Sequence, residues 1–286
     1  MNEQDVLKTC LLDLNRELES EGIPLILGGG YGLYLKQLDL QARGVRTLLD
    51  IEMWPEPRAT NDLDVFLQAE IVTDAERMEV LRHALDRLGY AAIESARYYQ
   101  FVKPISAGRK VKLDLLAGPL GDYEERVPKD PRRVRPRPSV DLHARRVDEA
   151  VGIEEEWTEL RVTGFLSDGA PYSATVIIPQ GFSYLLMKLY AFRDQRENNV
   201  KEFGQHHALD CFRIVAMMTK DEYELVLSLS EKHQHHERVE EARSIVNDHF
   251  CDEESLGVLR LREHPLFRPE MDVEGFLREL HTILHI

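Results

Sequence analysis

Residues 23–40 read IPLILGGGYGLYLKQLDL, and the three glycines at 28–30 constrain how the two halves of that stretch join. IPLIL is an apolar run of strand length, whereas GLYLKQLDL returns its apolar side chains at helical intervals. Glycine tolerates the abrupt reversal between them and lets backbone N–H groups come close to an anion at the positive end of a helix dipole. Taken alone, three glycines serve just as often as a tight strand-to-helix turn, so the stretch establishes strand, turn and helix and nothing more.

The surrounding chain extends that pattern. Residues 3–20 place Val6, Leu7, Cys10, Leu11, Leu14 and Leu18 at helical spacing and stop at Gly22. A loop with Trp54, Pro55 and Pro57 leads to the strand LDVFL, then to a helix from about Asp74 to Leu88. Strands at 98–104 and 109–118 flank an Ile-Ser-Ala-Gly connection and read as a hairpin, and ELRVTGFL and YSATVIIP flank the turn SDGAP at 167–171. From residue 181 the spacing is helical, with Thr219 and Glu222 placed as a capping box. The expectation is an α/β protein, a small mixed-sheet domain over 1–180 and a helical domain over 181–286. The 286 residues, 43% apolar, suffice for one large core or two small ones.

Composition narrows the function. Three scattered cysteines form no CxxC pair, which points to neither a disulfide framework nor a thiolate zinc site and suits a reducing cytoplasm. The N-terminal MNEQDVLKTCLLDLNRELES is charged and amphipathic rather than a signal sequence, and no apolar run is long enough to cross a bilayer, so a cytoplasmic protein with no membrane partner is expected. A net charge of −15 opposes general attraction to nucleic acid. Against that background residues 126–146, RVPKDPRRVRPRPSVDLHARR, are dense in arginine. They read equally as a solvated loop balancing Glu154–Glu156 and as a contact surface for a polyanion, with Arg132, Arg133, Arg135 and Arg137 as its candidate residues. His233, His235 and His236 lie among charges without ligand spacing for zinc and read as a solvated face.

The chemistry rests on RATNDLDVFL, residues 58–67. In a strand, residues two apart share a face, so Asp62 and Asp64 converge while Leu63 and Val65 point the other way. Two carboxylates so placed repel unless a proton or a cation intervenes. Mg²⁺, which takes few carboxylates and completes its shell with water and phosphate oxygens, is the natural occupant. Asp114 in KVKLDLL can supply a third oxygen if its strand runs alongside.

Together these features resemble the polymerase-beta-type nucleotidyltransferase superfamily: a glycine turn, a strand with Asp-x-Asp, a third acid on a following strand. More narrowly, GGGYGLYL followed by RATNDLDVFL resembles the AbiEii/MenT-like nucleotidyltransferase toxins. The resemblance implies transfer of a nucleoside monophosphate from an NTP to an acceptor hydroxyl, with two Mg²⁺ ions. Asp62, Asp64 and Asp114 match the catalytic and metal-binding acids, and Gly28, Gly29 and Gly30, with Arg58, Thr60 and Lys188, match nucleotide-holding positions. Gly30 stands where many members have a serine or threonine on the triphosphate. Asp210 could match an aspartate of the next helix, although an i,i+3 pair with Arg213 explains it without catalysis, and Lys188 could equally snorkel from an apolar stripe. RNA, a tRNA 3′ end, is the implied acceptor and an antitoxin the implied partner. A cationic small molecule such as an aminoglycoside, or a silent scaffold of the same fold, are the alternatives.

Overall fold

A computed structural model describes residues 3–58, 60–105 and 108–286. The chain clusters into two compact units, one of residues 1–32, 59–147 and 157–179, the other of 33–58, 148–156 and 180–286. Residues 33–58 and 148–156, assigned by the sequence to the first domain, thus cluster with the C-terminal helices.

The first unit is built on a mixed sheet, nine strands among the described residues. In chain order it contains α1 (Glu3–Glu19), β1 (Ile26–Leu27), the start of α2 (Gly29–Arg43), β2 (Asp62–Phe66), α3 (Ala69–Val72) and α4 (Ala75–Arg87). These are followed by β3 (Ala91–Ala92), β4 (Gln100–Pro104), β5 (Lys110–Ala117), β6 (Arg133–Val134), β7 (Ala144–Arg146), β8 (Trp157–Phe165) and β9 (Pro171–Pro179). The strands lie in the order β3-β4-β5-β2-β1-β9-β8, with β7 beside the end of β5 and β6 beside β7. β2 and β5 are parallel; β4–β5 and β8–β9 are antiparallel hairpins.

Local chemistry accounts for these elements. The stripe Val6, Leu7, Cys10, Leu11, Leu14 and Leu18 of α1 is buried, each large aliphatic contributing about 1.5–3 kcal/mol on leaving water. Asp74 caps α4 by accepting from the N–H groups of Glu76 and Arg77 at 2.9 and 3.1 Å. The expected strand over 23–27 shrinks to Ile26–Leu27 because Pro24 has no N–H to give a ladder. In the β4–β5 hairpin Ile105 N–H reaches Arg109 C=O at 3.0 Å; Ser106 and Ala107 of the expected connection lie outside the described residues.

The second unit is helical: α5 (Gly181–Gln195), α6 (Gln205–Ala216), α7 (Lys220–Lys232), α8 (Glu237–His249), α9 (Leu256–Arg262) and α10 (Val273–Leu284). α5 buries Phe182, Leu185, Leu186, Leu189 and Phe192. Only half of the expected capping box forms. Thr219 Oγ1 accepts from Glu222 N–H at 3.3 Å, but the Glu222 carboxylate accepts from Lys36 Nζ at 2.7 Å and Gly181 N–H at 3.0 Å instead of reaching back. An ion pair with a buried lysine outweighs the bond to a backbone donor.

Candidate active site

The acidic face forms on two parallel strands. β2 alternates as its sequence requires: Leu63 and Val65 are fully buried, Asp62 and Asp64 half-buried on the other face. The register with β5 sets Asp64 beside Asp114 and Asp62 beside Lys112. Side-by-side residues of parallel strands share a face, so all three acids and Lys112 face the same way. Lys112 Nζ lies 2.7 Å from Asp114 Oδ2, whereas Asp114 Oδ1 is buried with no hydrogen-bond partner among the described residues. Three carboxylates and one ammonium thus share this face. Among the described residues no three acidic, histidine or cysteine side chains already close on one point.

The glycine turn lies directly against these acids. Gly28 N–H donates to Asp64 C=O at 2.8 Å, and Gly29 has a φ of +62°. A β-carbon on Gly29 would fall 1.9 Å from Asp64 Oδ2, so both the backbone angle and the carboxylate exclude any side chain there. α2 starts at Gly29 with no acidic residue in its first turn, which leaves its positive end uncompensated by charge on its own helix. Thr60 sits just before β2 and its hydroxyl accepts from Asp62 N–H at 3.5 Å.

Lys188, Arg58 and Asp210 meet in the second unit. Asp210 is fully buried; its Oδ2 accepts from Lys188 Nζ at 2.7 Å and from Arg58 Nη2 at 3.3 Å, and its Oδ1 from Arg213 Nη1 at 3.0 Å. The Asp210–Arg213 pair expected from sequence is present, but Lys188 does not snorkel: it is buried and paired. Gln37 Oε1 takes Arg213 Nε and Nη2 at 3.2 and 2.8 Å. Burial alone would raise the Asp210 pKa, and the three cations reverse this and hold it well below the carboxylate range. Three cations on one carboxylate leave a surplus of positive charge, and Arg58 Nε is buried without a hydrogen-bond partner among the described residues. Sequence reading missed this convergence, since the partners of Asp210 other than Arg213 lie 22 and 152 residues away.

The arginine-rich segment is not a solvated loop. Val134, Pro136, Leu142, His143 and Ala144 are buried, and β7 pairs with β5 at Leu116 and Ala117, just past Asp114 on the same strand. Arg133 binds Asp130 through Nε at 3.1 Å and stacks over Tyr98, whose ring also stacks on His143 at 4.4 Å. Arg132 and Arg137 are exposed and Arg135 half-buried with its Nε unpartnered; no ion pair engages these three among the described residues. The histidine cluster also departs from a plain solvated face: His233 Nε2 meets Glu155 Oε1 at 2.8 Å, and the His236 ring accepts from Arg238 N–H at the start of α8.

No family model and no curated protein matches the chain. Among solved structures, the antibiotic-resistance factor ANT(2'')-Ia, determined in solution, is similar over 81% of this chain and 99% of its own, at 12% identity and a TM-score of 0.36. A likeness of that size carries neither fold nor activity across. Among the described residues no helix is long and apolar enough to cross a membrane.

Proposed function

We propose that this chain is a divalent-metal-dependent nucleotidyltransferase that moves a nucleoside monophosphate from an NTP to a hydroxyl of RNA. The observation that carries the reading is Asp64, level with Asp114 on a neighbouring parallel strand and pressed against the glycine turn that opens α2. Acids on adjacent strands beside backbone N–H groups suit phosphoryl chemistry. The donor set fits a hard cation: oxygen ligands only, and a buried Asp114 oxygen without a hydrogen-bond partner among the described residues. Asp62, Asp64 and Asp114 would hold Mg²⁺, which supplies charge neutralisation on phosphate and a lowered pKa for the attacking hydroxyl.

The other roles belong to the chain itself. Lys112 holds Asp114 through Oδ2 and leaves Oδ1 to face the cation. Gly28, Gly29 and Gly30 keep side chains away from a bound phosphate, with the Gly28 N–H held by Asp64 C=O; with Gly30 in place of a hydroxyl residue, the triphosphate relies more on cations. Thr60 shapes the entry to β2. Lys188 and Arg58 offer the surplus positive charge that phosphate oxygens would neutralise. Arg132, Arg133, Arg135 and Arg137, attached through β7 to the strand of Asp114, support a polyanionic acceptor.

Incubation with each α-³²P-labelled NTP, Mg²⁺ and total RNA tests the proposal. Label on RNA with the wild-type chain and none with Asp64→Ala is the expected result. Label on a cationic aminosugar instead of RNA would overturn the acceptor, and no transfer to either would overturn the reaction.

A further inference from the structure

β8 ends the sheet order and, among the described residues, pairs only with β9. The hairpin bond from Leu166 N–H to Ala170 C=O, 2.9 Å, fixes the parity of this ladder. Counting back by twos along the register, even-numbered residues of β8 turn their backbone groups toward β9, and odd-numbered residues turn theirs outward. Phe165 agrees: its C=O accepts from Thr9 Oγ1 of α1 at 3.0 Å. Trp157, Glu159, Arg161 and Thr163 therefore present an open row of N–H and C=O groups, a template for another strand.

The side chains on this edge are largely exposed. Trp157 is 37% and Phe165 64% exposed, unusual for large aromatic residues, and Glu159, Arg161 and Thr163 are exposed between them. Neither Glu159 nor Arg161 has an ionic partner among the described residues. Arg161 binds Ser173 Oγ through Nε at 2.9 Å, which leaves its two terminal nitrogens available. Charged residues on an edge strand normally discourage pairing. Here they are of opposite sign and two residues apart, which makes the strand complementary to itself in one antiparallel register.

The geometry points to a second copy of this chain as the occupant, paired antiparallel through β8 about a two-fold axis at Leu160. In that register Glu159 faces the partner's Arg161 and Arg161 the partner's Glu159, while Trp157 faces the partner's Thr163. All four outward-facing residues then meet outward-facing residues, so the open backbone groups are satisfied together. Trp157 also comes diagonal to the partner's Phe165, at the ~7–8 Å spacing aromatic side chains can bridge. A slip of two residues either way would set Arg161 against itself or Glu159 against itself, so charge selects the register. The pairing is isologous, as closed dimers require.

Sedimentation equilibrium of the full chain over a concentration series tests this, with circular dichroism confirming that each variant folds. The wild type should be in monomer–dimer equilibrium. Glu159→Arg or Arg161→Glu alone should weaken it by about tenfold or more, since each puts like charges opposite one another twice. The double reversal, Glu159→Arg with Arg161→Glu, should restore it. A wild type that stays monomeric at the highest concentration it tolerates overturns the proposal, and so does a dimer that both single reversals leave unchanged.

Discussion

Asp210 and Gly29 are the positions where one atom decides most. Removing the Asp210 carboxylate leaves Lys188, Arg58 and Arg213 facing one another in a buried site, so Asp210→Asn should cost about 3–5 kcal/mol in urea unfolding. A loss within experimental error would mean that the cluster is already solvated. Gly29→Ala combines a left-handed backbone with a clash against Asp64 and should cost about 1–3 kcal/mol. The sequence disclosed part of this. Alternation alone put Asp62 and Asp64 on one face, because strand geometry is a local property. It could not disclose that Lys188 and Arg58 share Asp210, since that meeting depends on how distant segments of the helical unit pack.

At the scale of elements, the hairpins, the long helices and β1, though shorter than expected, were legible because their periodicity and turn residues are local, while β6 and β7 were not. β6 and β7 are two and three residues long and set among prolines and arginines; β7 is a strand because it pairs along β5, and β6 because it pairs with β7. That placement carries a prediction. Replacing Arg132, Arg133, Arg135 and Arg137 by glutamine should weaken RNA binding and flatten its salt dependence, with NTP binding unchanged. The log–log slope should fall by about 0.7 for each single-strand phosphate that the variant no longer neutralises. Filter binding at several salt concentrations measures it, and a slope equal to the wild type would reduce the segment to a structural edge. The α4 cap offers a simpler check: Asp74→Ala should lower stability by about 1 kcal/mol without altering nucleotide binding.

For the whole molecule, buried histidines set the response to acid. Burial pushes the pKa of His143 to about 4, helped by Arg133 and Arg135, that of His207 to about 3, helped by Lys188, and that of His264 to about 4, helped by His206. All three are neutral in the fold and titrate near 6.5 when unfolded. Between those values the unfolded chain binds more protons, so stability is complete above pH ~6.5 and falls as pH drops through the interval. The urea midpoint should decrease between pH 7.5 and 5, before the carboxylates titrate, and His143→Phe, which keeps a ring against Tyr98, should make the decrease shallower. A midpoint that is flat or rises on acidification would contradict the burial of these rings.

If the acids of β2 and β5 hold a metal that a nucleotide needs, calorimetric titration of NTP will register it. Wild-type protein should bind NTP with measurable heat in Mg²⁺ and lose that binding in excess chelator. Asp64→Asn, nearly isosteric and folded by circular dichroism, should lose it even with Mg²⁺ present, because the amide cannot replace an anionic ligand. Equal NTP binding by wild type and Asp64→Asn, with and without Mg²⁺, would contradict the account.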